Sequence, residues 1–186
     1  QNLYFDSKNV PADLVVFLND RFKNYMKEKN IRQDIIESST SSYNIDDILK
    51  IYKKVNMLNN IISKEIGSDV LFIYKRASNI LVNETSKNNF EITDSADPGL
   101  FKNDFEKKLY KKIHDIRKEF SSISKENDYK GLLKSLASAK LEVTEFFENV
   151  KVNDADETIK KNRLELLKML CKTFDNYFNF SGVESV

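Results

Sequence analysis

With 186 residues, 40% of them hydrophobic and 32% charged, but only 4 Gly and 2 Pro, the chain is long enough to bury a core and favours long helices over a turn-rich sheet protein. The 30 Lys+Arg and 29 Asp+Glu leave a formal net charge of +1, so total charge does not announce a nucleic-acid binder and any RNA site must be a local patch. One Cys, one His and four scattered glycines exclude a disulfide framework, a His/Cys zinc cluster and a Gly-rich phosphate loop; with no secretory signal and no apolar run of about 18 residues, the expected setting is cytoplasmic.

The opening run Gln1-Asn2-Leu3-Tyr4-Phe5-Asp6-Ser7 resembles a tobacco etch virus protease site, departing from it at Gln1 and Asp6. It is read as an expression-tag remnant, which leaves 8–186 as a single helical domain. Pro11 suits a first helical turn, and Leu14, Phe17, Leu18, Phe22, Tyr25 and Met26 mark an amphipathic helix running to about Lys29. Asp34-Ile35-Ile36 reads as a short helix, ended by the polar break at 38–42. From Asp46 to Ser63 the spacing of Ile48, Ile51, Val55, Leu58 and Ile62 predicts another. The apolar run at 70–74 alone fits a buried strand, but Leu71, Tyr74, Ser78 and Leu81 share a helical face with Ala77 beside them. Lys75 and Arg76 are adjacent there, so they diverge by about 100° and can still serve one surface. The Asn/Ser/Thr/Asp-rich stretch 83–99, ending in Pro98-Gly99, is read as a flexible surface loop.

Beyond it, Phe101, Phe105, Leu109, Ile113, Ile116 and Phe120 form one stripe, which leaves Lys107, Lys108, Lys111, Lys112, Arg117 and Lys118 to water or to phosphate. A solvated face with nearby carboxylates, such as Asp104 with Lys108, accounts for these charges equally well. His114 on that helix is expected at the surface. Tyr129 opens a helix that feeds Val143, Phe146, Phe147 and Val150, at i, i+3, i+4 and i+7. Phe147 is expected where the last two helices meet. Asp154 with Glu157 reads as an N-cap, and the stripe Ile159, Leu166, Leu167, Leu170, Phe174, Tyr177 and Phe178 runs on until Ser181-Gly182, with Cys171 as a small core residue. Polar Asn162-Arg163 interrupts that stripe. Carboxylate pairs such as Asp46-Asp47 are accounted for by capping and solvation, and no metal or acid/base site is assigned to them.

Phe146-Phe147-Glu148-Asn149-Val150-Lys151-Val152, a short acidic link and then Asn162-Arg163-Leu164-Glu165-Leu166-Leu167 together resemble the C-terminal anticodon-binding domain of the bacterial glycyl-tRNA synthetase beta subunit. That domain class is named for an Asp-Ala-Leu-Arg run, matched loosely here by Asp156-Glu157-Thr158-Ile159-Lys160. Lys160 stands where arginine is expected, and Lys151 where methionine is. Lys75-Arg76-x-x-Asn79-Ile80-Leu81 and the segment 17–26 are similar too, so the resemblance spans nearly everything from Pro11 to Val183.

The resemblance implies an all-α multi-helix bundle of the anticodon-binding type, with tRNA(Gly) as partner. Through the full-length beta subunit it also implies the alpha subunit as partner, where the ligase chemistry with its ATP and Mg resides. This fragment alone is then expected to be non-catalytic and without a cofactor, with no DNA or membrane partner. Candidate RNA contacts are Lys75, Arg76, Lys107, Lys111, Lys161, Asn162 and Arg163. The last two stand near a helix start beside a polar link, where a carboxamide and a guanidinium can address phosphates or unstacked bases. Asn162 has the alternative of hydrogen-bonding a neighbouring segment in the core. Two other readings stay open: a helical module that docks proteins, and the same domain class on another synthetase such as arginyl.

Overall fold

A computed structural model describes residues 12–40, 47–86, 91–123 and 128–184, and every regular element among them is helical. The tag remnant, Pro11, Asp46, the end of the 38–42 break and residues 87–90 of the expected loop lie outside the described residues. In chain order the helices are α1 (Ala12–Glu28), α2 (Gln33–Thr40), α3 (Ile48–Ile61) and α4 (Glu65–Thr85), then a 3-10 turn at Pro98–Leu100, then α5 (Asp104–Ile123), α6 (Tyr129–Ala137), α7 (Lys140–Asn149) and α8 (Glu157–Asp175).

Local chemistry explains where several of them start and stop. Asn30 closes α1 in the left-handed region at φ 60, a conformation asparagine tolerates. The amides of Asn30 and Ile31 then bond back to the carbonyls of Lys27 (2.8 Å) and Met26 (3.2 Å), a Schellman stop sealed by buried Ile31. A methyl group on Gly67 would sit 2.5 Å from the Ile61 carbonyl oxygen, so only glycine lets the first turn of α4 close on the end of α3. Asn103 and Glu106 form a capping box at the start of α5: Asn103 Oδ1 accepts from the Glu106 amide (3.1 Å), and Glu106 Oε2 accepts from the amides of Asn103 (3.0 Å) and Lys102 (2.7 Å).

The core lies between α4, α5 and α8. α4 and α5 make little direct contact, while α6, α7 and α8 each pack on both, and α3 joins α2 to α4 and α6. Leu109, Ile113, Leu132, Leu133, Phe146, Leu166, Leu167, Leu170 and Phe174 are almost fully buried there.

Five expectations are corrected. α7 and α8 do not pair with each other, since each packs on α4 and α5; Phe146 is the fully buried phenylalanine, and Phe147 is only partly covered. The cap of α8 is Asp156, which accepts from the amides of Thr158 (2.8 Å) and Ile159 (3.3 Å), two residues later than predicted; Asp154 instead accepts from the Asp156 amide (3.0 Å). α8 stops at Asp175, yet Phe178, Phe180 and Val183 remain buried because the following chain folds back, bonding the Asn179 amide to the Ser38 carbonyl of α2 (3.1 Å). α2 runs through Ser38 and Ser39, both buried, to Thr40. Among the described side chains of α1, Phe22 and Met26 reach the core. The helix packs chiefly on α2, and Leu14, Val16, Phe17, Leu18 and Tyr25 are exposed.

Candidate RNA interface

Arg163, which interrupts the stripe of α8, points inward. Its Nε donates to Glu106 Oε1 (2.6 Å), and its Nη1 donates to Asp154 Oδ2 (2.6 Å) and to the Lys151 carbonyl (2.9 Å). The side chains of Arg163 and Glu106 are 6% and 1% exposed. One guanidinium thus ties the start of α5 to the link between α7 and α8. A charge buried to this degree persists only when its partners are all present, and these partners fill the fork. The Asp156 amide and then the Arg163 guanidinium hold the Asp154 carboxyl below the usual carboxylate range.

Asn162 is likewise internal. Its Oδ1 accepts from the Asp97 amide (2.7 Å), and its Nδ2 donates to the Asp97 carbonyl (3.0 Å), a two-bond clamp on the segment before the 3-10 turn. The expectation that Asn162 and Arg163 address phosphates or bases is therefore corrected. Both are committed to the fold, Asn162 in the core role that its sequence context also allowed. Lys160, the residue in the arginine position of the family run, is buried against Glu84 (2.8 Å).

Residues 91–97, expected to be a flexible loop, are tied to α8. Ile92 and Ala96 are buried, the Ile92 carbonyl accepts from Lys168 Nζ (2.5 Å), and Glu165 Oε1 accepts from the Thr93 amide (3.3 Å) and hydroxyl (2.9 Å). Lys161 lies beside the same Glu165, at 3.9 Å.

The remaining candidates are at the surface. Lys107 pairs with Asp104 (3.1 Å), and Lys108 reaches across to Glu145 of α7 (3.2 Å), so the i,i+4 pair expected of Asp104 and Lys108 is not the one made. Lys111 is exposed and has no ion-pair partner among the described residues; it lines a shallow groove between α5 and α7 with Lys108, Lys112, Asp115, Glu142 and Glu145. Arg117, expected to face water or phosphate, lies across α8 with Nε on Thr173 Oγ1 and Nη2 on the Met169 carbonyl, both at 2.8 Å. Lys75 and Arg76 are half-buried on α4. The Arg76 guanidinium sits 4.6 Å from the ring centre of Phe147 on α7 and 5.6 Å from that of Phe72 one turn earlier. The seven candidates therefore divide into an inward pair, an α4 pair beside α7, an α5 row and Lys161 beside the 91–97 segment.

Two residues with a part in this region were not singled out from the sequence. Phe72 falls off the apolar face of α4 defined by Leu71, Tyr74 and Leu81, and that off-face position was the available signal. Glu106 carries no local signal, because nothing near it announces an arginine 57 residues away. Burial pushes the Cys171 thiol up to about 12, which makes it a packing group, and His114 is exposed with its ring against Tyr110 at 4.4 Å.

Residues 70–186 match the DALR anticodon binding domain family. The chain belongs to this family. The DALR match runs from within α4 to the last described residues, with the Arg76 stack, the Arg163 network and the Asn162 clamp all inside it. Along almost its whole length the DALR chain is similar to proteins named glycine–tRNA ligase beta subunit. It is 33% identical to the one from Rickettsia canadensis (strain McKiel) over 97% of this chain, and 26% identical to the one from Cereibacter sphaeroides (strain ATCC 17023) over 92% of it. It spans about a quarter of the length of these curated relatives, covering 26% and 25% of them. Among the described residues no helix is long and apolar enough to cross a membrane.

Proposed function

We propose that this DALR domain binds the anticodon region of a glycine tRNA, as part of a longer beta subunit that supports glycine attachment carried out on another polypeptide. The observation that carries the reading is the similarity to glycine–tRNA ligase beta subunits over 97% of the chain, α1 to α8 included. It also favours a glycine over an arginine enzyme. The surface chemistry is compatible with RNA. Arg76, Lys107 and Lys111 put cationic groups on α4 and α5, and a near-neutral domain must rely on such local positions rather than on its total charge. Phosphate contact is assigned to Lys75, Arg76, Lys107, Lys111 and Lys161, while Asn162 and Arg163 hold the scaffold.

Ligase chemistry is assigned elsewhere in the assembly, together with its ATP and Mg. One His, one inert Cys and four scattered glycines are poor material for it. One observation favours an added protein contact: the exposed apolar row Leu14, Val16, Phe17 and Leu18 on α1. The test is fluorescence anisotropy of a labelled glycine anticodon stem-loop with the purified domain. Unlabelled tRNA carrying the glycine anticodon should displace the stem-loop, and an unrelated tRNA should do so poorly. Equal displacement by both would contradict the reading.

A further inference from the structure

We propose that Phe72, Arg76 and Phe147 form a shelf on which one unstacked base of the bound RNA lies, an inference that rests on the RNA-binding reading above. Phe72 is 39% exposed in the middle of α4, between buried Leu71 and Ile73, so aromatic surface meets water where the neighbouring side chains are in the core. Arg76 follows one turn later. Its guanidinium carbon lies over the ring of Phe72 at 5.6 Å and over that of Phe147 of α7 at 4.6 Å. Phe147 in turn is braced edge-on by the fully buried Phe146, with ring centres 5.3 Å apart. Two rings from two helices therefore meet the same cation.

Among the described residues none accepts a hydrogen bond from Arg76 or pairs with its charge, in contrast to Arg163 and Arg117, whose donors are spent on named partners. A guanidinium stacked on aromatic rings, with free N–H edges beside an exposed ring face, matches what a single-stranded nucleotide offers: a π face for Phe72, and base or phosphate oxygens for the fork. A paired duplex presents no base face. An aliphatic protein surface would cover Phe72 and leave the donors of Arg76 without acceptors. An unstacked base from a loop, with its adjoining phosphate, satisfies both.

The chain contains no Trp, so Phe72→Trp introduces the sole indole. The domain carrying Phe72→Trp is titrated with a glycine anticodon stem-loop RNA and with a blunt RNA duplex of equal length. The indole emission should fall saturably with the stem-loop and stay level with the duplex. Phe72→Ala should weaken stem-loop binding by about tenfold or more. Arg76→Lys, which keeps the charge and loses the plane, should weaken it as well. Should Phe72→Ala fold poorly, the indole titration decides alone. Stem-loop binding that leaves the emission unchanged, with wild-type affinity for Phe72→Ala, overturns the shelf and leaves the RNA-binding reading standing. A wild-type domain that fails to bind the stem-loop at all removes both.

Discussion

Arg163 shows how a single side chain changes meaning between sequence and structure. Its guanidinium neutralises Glu106, which is almost wholly buried and also caps α5, and it reaches Asp154 and a carbonyl in the α7–α8 link. Removing one partner of such a pair leaves an uncompensated buried charge. Arg163→Ala should therefore lower unfolding free energy by about 3 to 5 kcal/mol in urea titrations. Arg163→Lys should rescue little, because an ammonium cannot span the same fork. A small drop in stability coupled to a large, anticodon-specific drop in affinity would return Arg163 to the RNA. Lys54 gives a second prediction at this scale. It is fully buried on α3 with Nζ 4.7 Å from the ring centre of Phe178, and burial pushes its pKa down to about 7 from 10.5. Between those values the unfolded chain holds a proton that the folded chain sheds, so stability rises with pH, by at most about 1.4 kcal/mol per unit. Cys171 acts oppositely only as pH rises past 9. Wild type should gain stability between pH 7 and 8.5 relative to Lys54→Met, and parallel curves would show that Lys54 stays charged in the fold.

Among the elements, α7 separates two adjacent phenylalanines that the sequence treats alike. Phe146 is fully buried, whereas Phe147 is partly covered by Arg76. Phe146→Ala should cost about 3 to 5 kcal/mol, and Phe147→Ala clearly less, in thermal or urea unfolding. Equal costs would mean that α7 is rotated about its axis. Helix positions were legible because apolar residues recur at helical spacing through 48–62, 101–120 and 129–150, and α4 reads as a helix rather than a strand for the same reason. Partners were not legible. Periodicity says which face of a helix is apolar and not which neighbour it meets, so α7 and α8 were paired with each other instead of each with α4 and α5. The same limit hid Arg163 and Asn162: a polar residue within a stripe looks alike whether it faces water or a buried acceptor contributed 57 or 65 residues earlier. α1 erred in the opposite direction, because its stripe reads as a core face while Phe17 is 52% exposed, on a helix that packs chiefly on α2.

At the scale of the whole chain, residues 70–186 match the DALR family, the net charge is only +1, and the recognition of RNA is proposed to rest on a few positions rather than on a broad field. That distinguishes it from a generally basic binder, whose affinity would fall steeply with salt and ignore sequence. Lys75, Arg76 and Lys111 are the positions to remove, since Asn162 and Arg163 are committed to holding the fold together. The decisive measurement is filter binding of tRNA with the glycine anticodon, and of the same tRNA with its anticodon exchanged, over a salt series with wild type and a Lys75→Ala/Arg76→Ala/Lys111→Ala variant. The exchange should weaken wild-type binding by about 1 to 3 kcal/mol. The variant should bind both tRNAs more weakly, with a salt slope shallower by up to about one unit for each phosphate left without its cation. Equal affinity of wild type for the two tRNAs, together with an unchanged affinity and slope in the variant, would contradict an anticodon-reading surface on this domain.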